Sequence, residues 1–258
     1  MSKKSHRRGR SWGSWGAYTA VAPGPTMCAD LDMLLAVDQE ETVASLRRSV
    51  TTEYDPDKSE HVELLGRLWG AARPRLPWPG AKAEDWKGLG FQGSAPETDF
   101  RGGGLFSLEL LVVFAEANPE LLATFLEHSH NNPGCKTGGA DAPAFYPFAA
   151  AGINITAMIT ETLDLRPRRA GPSSPGPSPS PHAIEAAFRR APTTDSGKRF
   201  LATFRSRAVA QAELDRVFSE ALVHLDRVWV DSGATYMEFP RVLADVKAHL
   251  RDHLLPAG

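Results

Sequence analysis

Apolar residues recur along this chain at spacings of three and four, which places them on one face of a helix. Sustained period-two alternation rich in Val, Ile and Thr is missing, so the pattern predicts an all-α protein. A first helix is expected from Asp30 to about Arg48, with Asp30 as its cap and Leu31, Leu34, Leu35 and Val37 near its start. A second runs from about Asp57 to Ala72 on Val62, Leu65, Leu68, Trp69 and Ala72, after which Pro74, Pro77 and Pro79 force an extended connector. The spacing then predicts a helix from Leu105 to Ala117 that turns Leu108, Leu111, Val112 and Ala115 to one side. Asn118 reads as the cap of the next helix, with Pro119 at its first position and Leu121, Leu122, Phe125 and Leu126 along it. Asn131 to Ala142 is a loop by its Pro and Gly content. Further helices are expected at Phe148 to Leu163, Ala183 to Arg190, about Lys198 to Val230, and Phe239 to Leu254. In the first of these Gly152, Ile155, Ile159 and Leu163 share a face; in the last Val242, Leu243, Val246, Leu250 and Leu254 do.

Two stretches break this periodicity. From Arg166 to His182, Pro, Ser and Gly fill 12 of 17 positions, too little apolar surface to offset the entropy of ordering, so a disordered segment is expected there. From Met1 to Cys28 there is no acidic residue, while Lys3, Lys4, Arg7, Arg8 and Arg10 cluster at the start. That reads as a disordered basic tail over residues 1–29, with a transit peptide or a weak phosphate or membrane attractor as alternatives. The helical domain then spans 30–254, followed by a short tail at 255–258.

Composition narrows the function classes. With 258 residues and 42% hydrophobic content the chain can bury a sizeable core. A formal charge of -2 argues against a general nucleic-acid or membrane-surface binder. A long uncharged run lies between Asp141 and Glu161, but Pro143, Pro147, Gly152, Asn154 and Thr156 within it favour a buried core helix over a membrane span. Two cysteines, Cys28 and Cys135, make no disulfide framework, and no secretory signal is present, so the chain reads as intracellular.

The candidate chemistry is sparse. His128, His130 and Cys135 are zinc-ligand types, with Asp141 as a remote fourth, but the spacing is poor and metal-free loop residues are the expectation. His249 and His253, one turn apart without a third ligand, read as a solvated helix face. Gly102 to Gly104 precede a helix, and free N–H groups there could hold phosphate. No GxxxxGK[ST] sequence accompanies them, so the chain has no P-loop of its own. The remaining feature is the segment Trp86 to Leu105, dense in Gly, Pro and aromatics around Arg101. Long loops in compact domains often carry function. By itself, Arg101 reads equally as a partner of Asp99 or as a helix C-cap.

The order of residues in this segment decides more. Trp86, Leu89-Gly90-Phe91-Gln92, Pro96, Thr98-Asp99-Phe100-Arg101-Gly102 and Gly104-Leu105, leading into a leucine-rich helix, closely resemble the signature of the ELMO domain. Tyr146-Pro147-Phe148 with Gly152-Ile153-Asn154-Ile155-Thr156 is similar to that family's central helix, and Trp229 with Tyr236-Met237-Glu238-Phe239-Pro240 to its C-terminal pair. The resemblance covers roughly Asp57 to Leu254.

It implies a single multi-helix domain in which 166–182 is an internal insertion. One branch, the engulfment and cell motility scaffolds, lacks the Arg of the Asp-Phe-Arg-Gly run. The stand-alone ELMO domain-containing proteins keep it and activate Arf-family and Arf-like GTPases, and this chain resembles the latter. The resemblance therefore implies an activator rather than a self-sufficient enzyme, working without a cofactor. Arg101 would serve as an arginine finger in trans, and Gln92 would either assist in positioning water or hold the loop through backbone hydrogen bonds. Trp86, Gly90, Phe91, Pro96, Thr98, Asp99, Phe100 and Gly102 would build or present the motif, Trp86 and Phe91 as anchors and Asp99 by orienting Arg101 or capping the next helix. The implied partner is an Arf or Arf-like GTPase in its GTP-bound state. The implied setting is the cytoplasm, peripheral on organelle membranes through that GTPase, in membrane trafficking. A non-catalytic GTPase-binding or scaffold module is the alternative.

Overall fold

The computed structural model describes residues 25–130, 146–166, 180–204 and 206–254, with the side chains of 25–37, 129, 130 and 254 excepted. All regular structure among them is helical. The helices are α1 Pro25–Thr51, α2 Ser59–Ala72, α3 Gly104–Ala117, α4 Pro119–His130, α5 Phe148–Thr162, α6 Pro181–Arg189, α7 Asp195–Thr203, α8 Arg207–Ser232 and α9 Phe239–His249. Two short 3-10 turns, Glu84–Leu89 and Pro96–Arg101, bridge α2 and α3. Among the described residues no helix is long and apolar enough to cross a membrane.

α3 is the centre. The sequence predicts one apolar side, yet Leu105, Phe106, Leu108, Leu110, Leu111, Val112, Phe114 and Ala115 are all buried. A helix covered on most sides must be apolar nearly all round, and here α1, α2, α4, α5 and α8 all pack on it, leaving Val113 and Glu116 exposed. α5 lies against α3 and α8 with α9 beyond, and Gly152 lets them close up: a Cβ there would stand 2.6 Å from a Leu111 methyl carbon and 3.3 Å from the Phe218 ring. At the C-terminal end Trp229 is fully buried against Tyr146 and Phe239, with ring centroids at 5.5 and 6.0 Å. Thr235 and Glu238 form a capping box that turns the chain from α8 into α9, and Leu250–Leu254 extends α9 by a π-helical turn.

Asn118 stands directly before α4, with Pro119 as the first helical residue; its carbonyl accepts from Leu122 N–H at 2.9 Å while its side-chain amide donates back to the Phe114 carbonyl at 3.2 Å, closing the end of α3. The structure corrects the sequence reading in two places. α1 starts at Pro25 and runs through Asp30, so Asp30 is not its cap. The single helix expected over Lys198–Val230 is two. Thr194 caps α7 by accepting from Gly197 N–H at 3.1 Å, and Ser206 caps α8 by accepting from Val209 N–H at 3.3 Å. Phe204 is extended between them, partly buried with its ring tilted against Phe200 at 4.9 Å.

The residues on either side of 167–179 meet on α1 through a buried guanidinium. Arg47 Nη1 donates to the carbonyls of Ala187 and Phe188 at 3.2 and 3.1 Å and also to Arg190 O, while Nη2 donates to Asp164 O at 2.8 Å. These are terminal carbonyls of α6 and of the turn after α5, which lack helical donors of their own. Asp164 sits in that turn at φ 52°, and its carboxylate accepts from Thr193 N–H and Oγ1 at 2.7 and 2.8 Å. Burial raises the Asp164 carboxyl, but the Thr193 donors and the Arg47 and Arg190 guanidiniums outweigh it and hold it below its ordinary value. A carboxyl lowered in the folded state contributes stability above its unfolded value, about 3.9, and loses it as pH falls through the folded one. Acid unfolding should therefore steepen below about pH 4, and Asp164→Asn should flatten that limb in denaturant titrations at pH 7 and pH 3.

Candidate functional site

The segment between α2 and α3 carries no long helix, yet it is held at many points. Arg73 at the end of α2 donates to Gly88 O at 3.1 Å. Trp69 Nε1 donates to Pro77 O at 2.9 Å, and Trp86 Nε1 to Gly80 O at 3.0 Å. Ala83 N–H reaches Ser94 O at 2.8 Å, closing the loop on itself. Beneath these bonds runs a ladder of edge-on aromatic pairs: Trp69–Trp86 at 5.3 Å, Trp86–Phe91 at 5.6 Å and Phe91–Phe100 at 5.8 Å. Tyr54, after α1, continues it against Phe100 at 5.4 Å. Trp86, Phe91, Pro96 and Phe100 are all buried, so the motif's apolar residues anchor it to the core.

Gly90 ends the first 3-10 turn at φ +87°, where an L side chain is strained. A Cβ there would stand 2.4 Å from Phe148 N and 2.6 Å from Pro147 C, backbone atoms at the start of α5 that cannot rotate away. The Gly90 carbonyl also accepts from Ala150 N–H at 3.3 Å. Gly90→Ala should cost roughly 2–4 kcal/mol, strain and backbone displacement together, seen as a drop in the urea midpoint. Gly104 has a parallel constraint at φ +63°, with Thr52 O 2.8 Å and Val50 O 3.0 Å from where a Cβ would be.

Arg101 stands between these anchors, the last residue of the second 3-10 turn and directly before the glycines that open α3. Its side chain is exposed and makes no hydrogen bond or ion pair with any described residue. Asp99 does not hold it. The Asp99 carboxylate accepts from Gln92 N–H at 2.7 Å and lies 3.4 Å from the Thr98 hydroxyl, so it closes the Gln92–Asp99 loop and neither orients Arg101 nor caps α3. Thr98 is exposed, its hydroxyl donating to Ala95 O at 2.9 Å, and Gly102 is exposed beside Arg101. The start of α3 is not an open phosphate cradle. Leu105 N–H is taken by Thr52 O at 2.8 Å and Gly103 N–H by Phe100 O at 3.2 Å, because the glycines bring α3 against the end of α1.

Arg101 lines a groove of about 920 Å³ together with Val50, Thr51, Glu53, Tyr54, Gly104 and Arg166. Glu97 on its rim is paired with Lys82 at 3.0 Å. Tyr54 is the residue the sequence did not single out. Its hydroxyl is buried without a hydrogen-bond partner, and burial together with the Glu97 and Asp55 carboxylates pushes its phenol up to about 12. It therefore remains a neutral donor at physiological pH. No local signal could mark it, since it precedes α2 in the chain and meets the motif, at Phe100 and in the groove beside Arg101, through the fold. Gln92 is exposed but does not line this groove, and its backbone N–H on Asp99 is its one bond shown in this segment.

Of the candidate metal ligands His128, His130, Cys135 and Asp141, the His128 side chain is described. His128 Nδ1 pairs with Asp226 Oδ1 at 2.8 Å, and the Tyr146 hydroxyl donates to the same oxygen at 2.9 Å. Burial, with Asp226 beside it, drives the Tyr146 phenol far above its ordinary value. The His130 side chain, Cys135 and Asp141 lie outside the described residues. His249 is not on a solvated face alone: its ring stacks on His224 of α8 at 3.8 Å, with His253 at 5.0 Å.

A motif this rigid, presenting one unpaired guanidinium, has relatives. The ELMO/CED-12 family model matches residues 44–243. The chain belongs to the ELMO/CED-12 family. It is 36% identical over 120 residues to ELMO domain-containing protein B of Dictyostelium discoideum, covering 46% of this chain and 38% of that protein. It is 33% identical over 139 residues to mouse ELMO domain-containing protein 1, covering 51% and 42%. Against human ELMO domain-containing protein 2 the identity is 38% over 110 residues, covering 43% and 34%. The matches thus span less than half the length of each of these ELMO relatives. No solved structure matches the chain.

Proposed function

We propose that this ELMO-family chain accelerates GTP hydrolysis by a small GTPase of the Arf or Arf-like group, contributing Arg101 to the partner's active site. The observation that carries the reading is the state of Arg101: exposed, without an internal partner among the described residues, and set on a turn fixed by buried aromatics and two glycines. An arginine serving structure would be expected to bond a carboxylate or a helix end, and here the nearby carboxylate of Asp99 is committed to Gln92 N–H.

The chemistry asks for little else. Phosphoryl transfer to water needs charge stabilisation on the transferring group and a positioned nucleophile. A guanidinium remains charged, presents two parallel N–H groups to phosphate oxygens, and is pre-organised when its backbone does not move. Water positioning would fall to the GTPase or to Gln92, whose side-chain amide is exposed. The protein would work at the cytoplasmic face of organelle membranes, brought there by its GTPase. Single-turnover GTP hydrolysis by purified Arf and Arf-like GTPases, with the full chain and with Arg101→Lys, tests the proposal; equal rates for the two proteins would refute it.

A further inference from the structure

A second groove, of about 650 Å³, lies along α2 and meets the Arg101 groove at Pro56, which lines both. Val62 and Gly66 line it, Trp78 bounds it, and Asp57 and Glu63 add their carboxylates. Trp78 is 43% exposed, a large apolar area to leave in water. It is nevertheless held in place. The carbonyls of Pro77 and Gly80, on either side of it, accept the indole N–H groups of Trp69 and Trp86, and its ring stands edge-on to Trp86 at 5.6 Å. Trp78 is thus a rung on the same aromatic ladder that ends beside Arg101.

Gly66 adds a second, independent sign. It lies inside a helix, where glycine costs about 1 kcal/mol relative to alanine, and a Cβ there would meet nothing within 4 Å. Internal packing therefore does not require the glycine, whereas the depth of the groove depends on it. The lining is net acidic: Asp57 and Glu63 face a single cation, Arg67, which is bonded to Glu116 at 2.8 and 2.7 Å and also lies in the field of Glu63.

We infer that the α2 groove docks the same GTPase that Arg101 serves, taking an apolar side chain of the partner against Trp78 and Gly66 with Lys or Arg neighbours set against Asp57 and Glu63. The inference rests on the activator reading, because continuity through Pro56 is what assigns both grooves to one partner. A rigid, partly exposed tryptophan over a pocket is the kind of residue on which binding energy concentrates. The acidic lining supplies orientation and encounter rate more than affinity. The two grooves divide the work: the α2 groove sets how much GTPase is bound, and Arg101 sets how fast the bound GTPase turns over.

The test uses the full chain and a panel of purified Arf and Arf-like GTPases loaded with GTPγS for binding and with GTP for turnover. Trp78→Ala and Gly66→Phe should each weaken binding on the order of 30-fold, with the hydrolysis rate at saturation kept near wild type. Glu63→Lys should lower the association rate and reverse part of its salt dependence. Gly70→Ala, one turn further along α2 and also open-sided, changes helix propensity without entering the groove, so it should bind as wild type. Unchanged affinity in both Trp78→Ala and Gly66→Phe overturns the docking surface while leaving Arg101 its role. Wild-type binding that both variants weaken, without acceleration of hydrolysis, overturns the arginine finger and leaves the docking surface standing. If no member of the panel binds the wild-type chain, both readings fall.

Discussion

Replacing Arg101 by lysine should lower GTP turnover by about 10³-fold or more while leaving the fold and the partner affinity near wild type. The size follows from geometry rather than charge. Lysine keeps the positive charge, but its ammonium is a compact, strongly hydrated donor that cannot offer two coplanar N–H groups to the transferring phosphoryl. Stabilisation that develops only in the transition state appears in the rate and not in the binding constant. The lack of an internal partner for Arg101 makes the result interpretable, because no ion pair or hydrogen bond with a described residue is broken by the change. Thermal unfolding of Arg101→Lys and Arg101→Ala should therefore coincide with wild type. A lower melting temperature in both would mean that the guanidinium supports the turn, and a rate loss could then not be assigned to the partner's chemistry.

Trp86→Ala should be the most destabilising single change in the motif, at about 3–5 kcal/mol. The side chain is 0% exposed and contacts Trp69, Trp78 and Phe91 edge-on, so its removal leaves a cavity bordered by rigid rings that cannot collapse together. It also strips Gly80 O of its donor. For a domain of this size that corresponds to a fall of roughly 10 °C in Tm by circular dichroism. Trp86→Phe should fall between the two, since it restores apolar volume but not the indole N–H. The functional consequence differs from that of Arg101→Lys. With the ladder broken, Arg101 and Trp78 lose their common support, so affinity and turnover should decline together. A Trp86→Ala protein with wild-type Tm would show that the segment is held by its hydrogen bonds and not by its rings.

Much of the molecule could be read from spacing. Positions such as Leu65, Leu68 and Trp69 in α2, or Val242 and Val246 in α9, repeat at helical intervals because a helix half-covered by its neighbours must put its apolar residues on one stripe. That rule is silent where burial is complete. α3 buries Phe106, Leu110 and Phe114 as well as the expected side, and only the five helices packed around it explain why. Asn118 was legible as the residue before α4, but its second bond, from its amide back to the Phe114 carbonyl of α3, was not, because that depends on how the two helices meet. The break between α7 and α8 escaped notice because Phe204 keeps an apolar residue in sequence phase while its backbone is extended to reach Phe200.

What the sequence by itself determined is the helical class, the family signature around Trp86 and Arg101, and the anchoring role of its aromatics, all of which depend on residue type and local order. What only the tertiary structure decided is the freedom of Arg101. Asp99 lies two residues away and could have neutralised it, but the fold turns its carboxylate to Gln92 N–H across the loop, and no bond to Arg101 forms. The groove beside Arg101 is likewise a product of folding, since Glu53 and Tyr54 reach it from the end of α1, and so is the α2 groove, where Trp78 is held between carbonyls that accept the Trp69 and Trp86 indoles. Contacts between residues distant in the chain are fixed by how helices pack, and no local pattern encodes them.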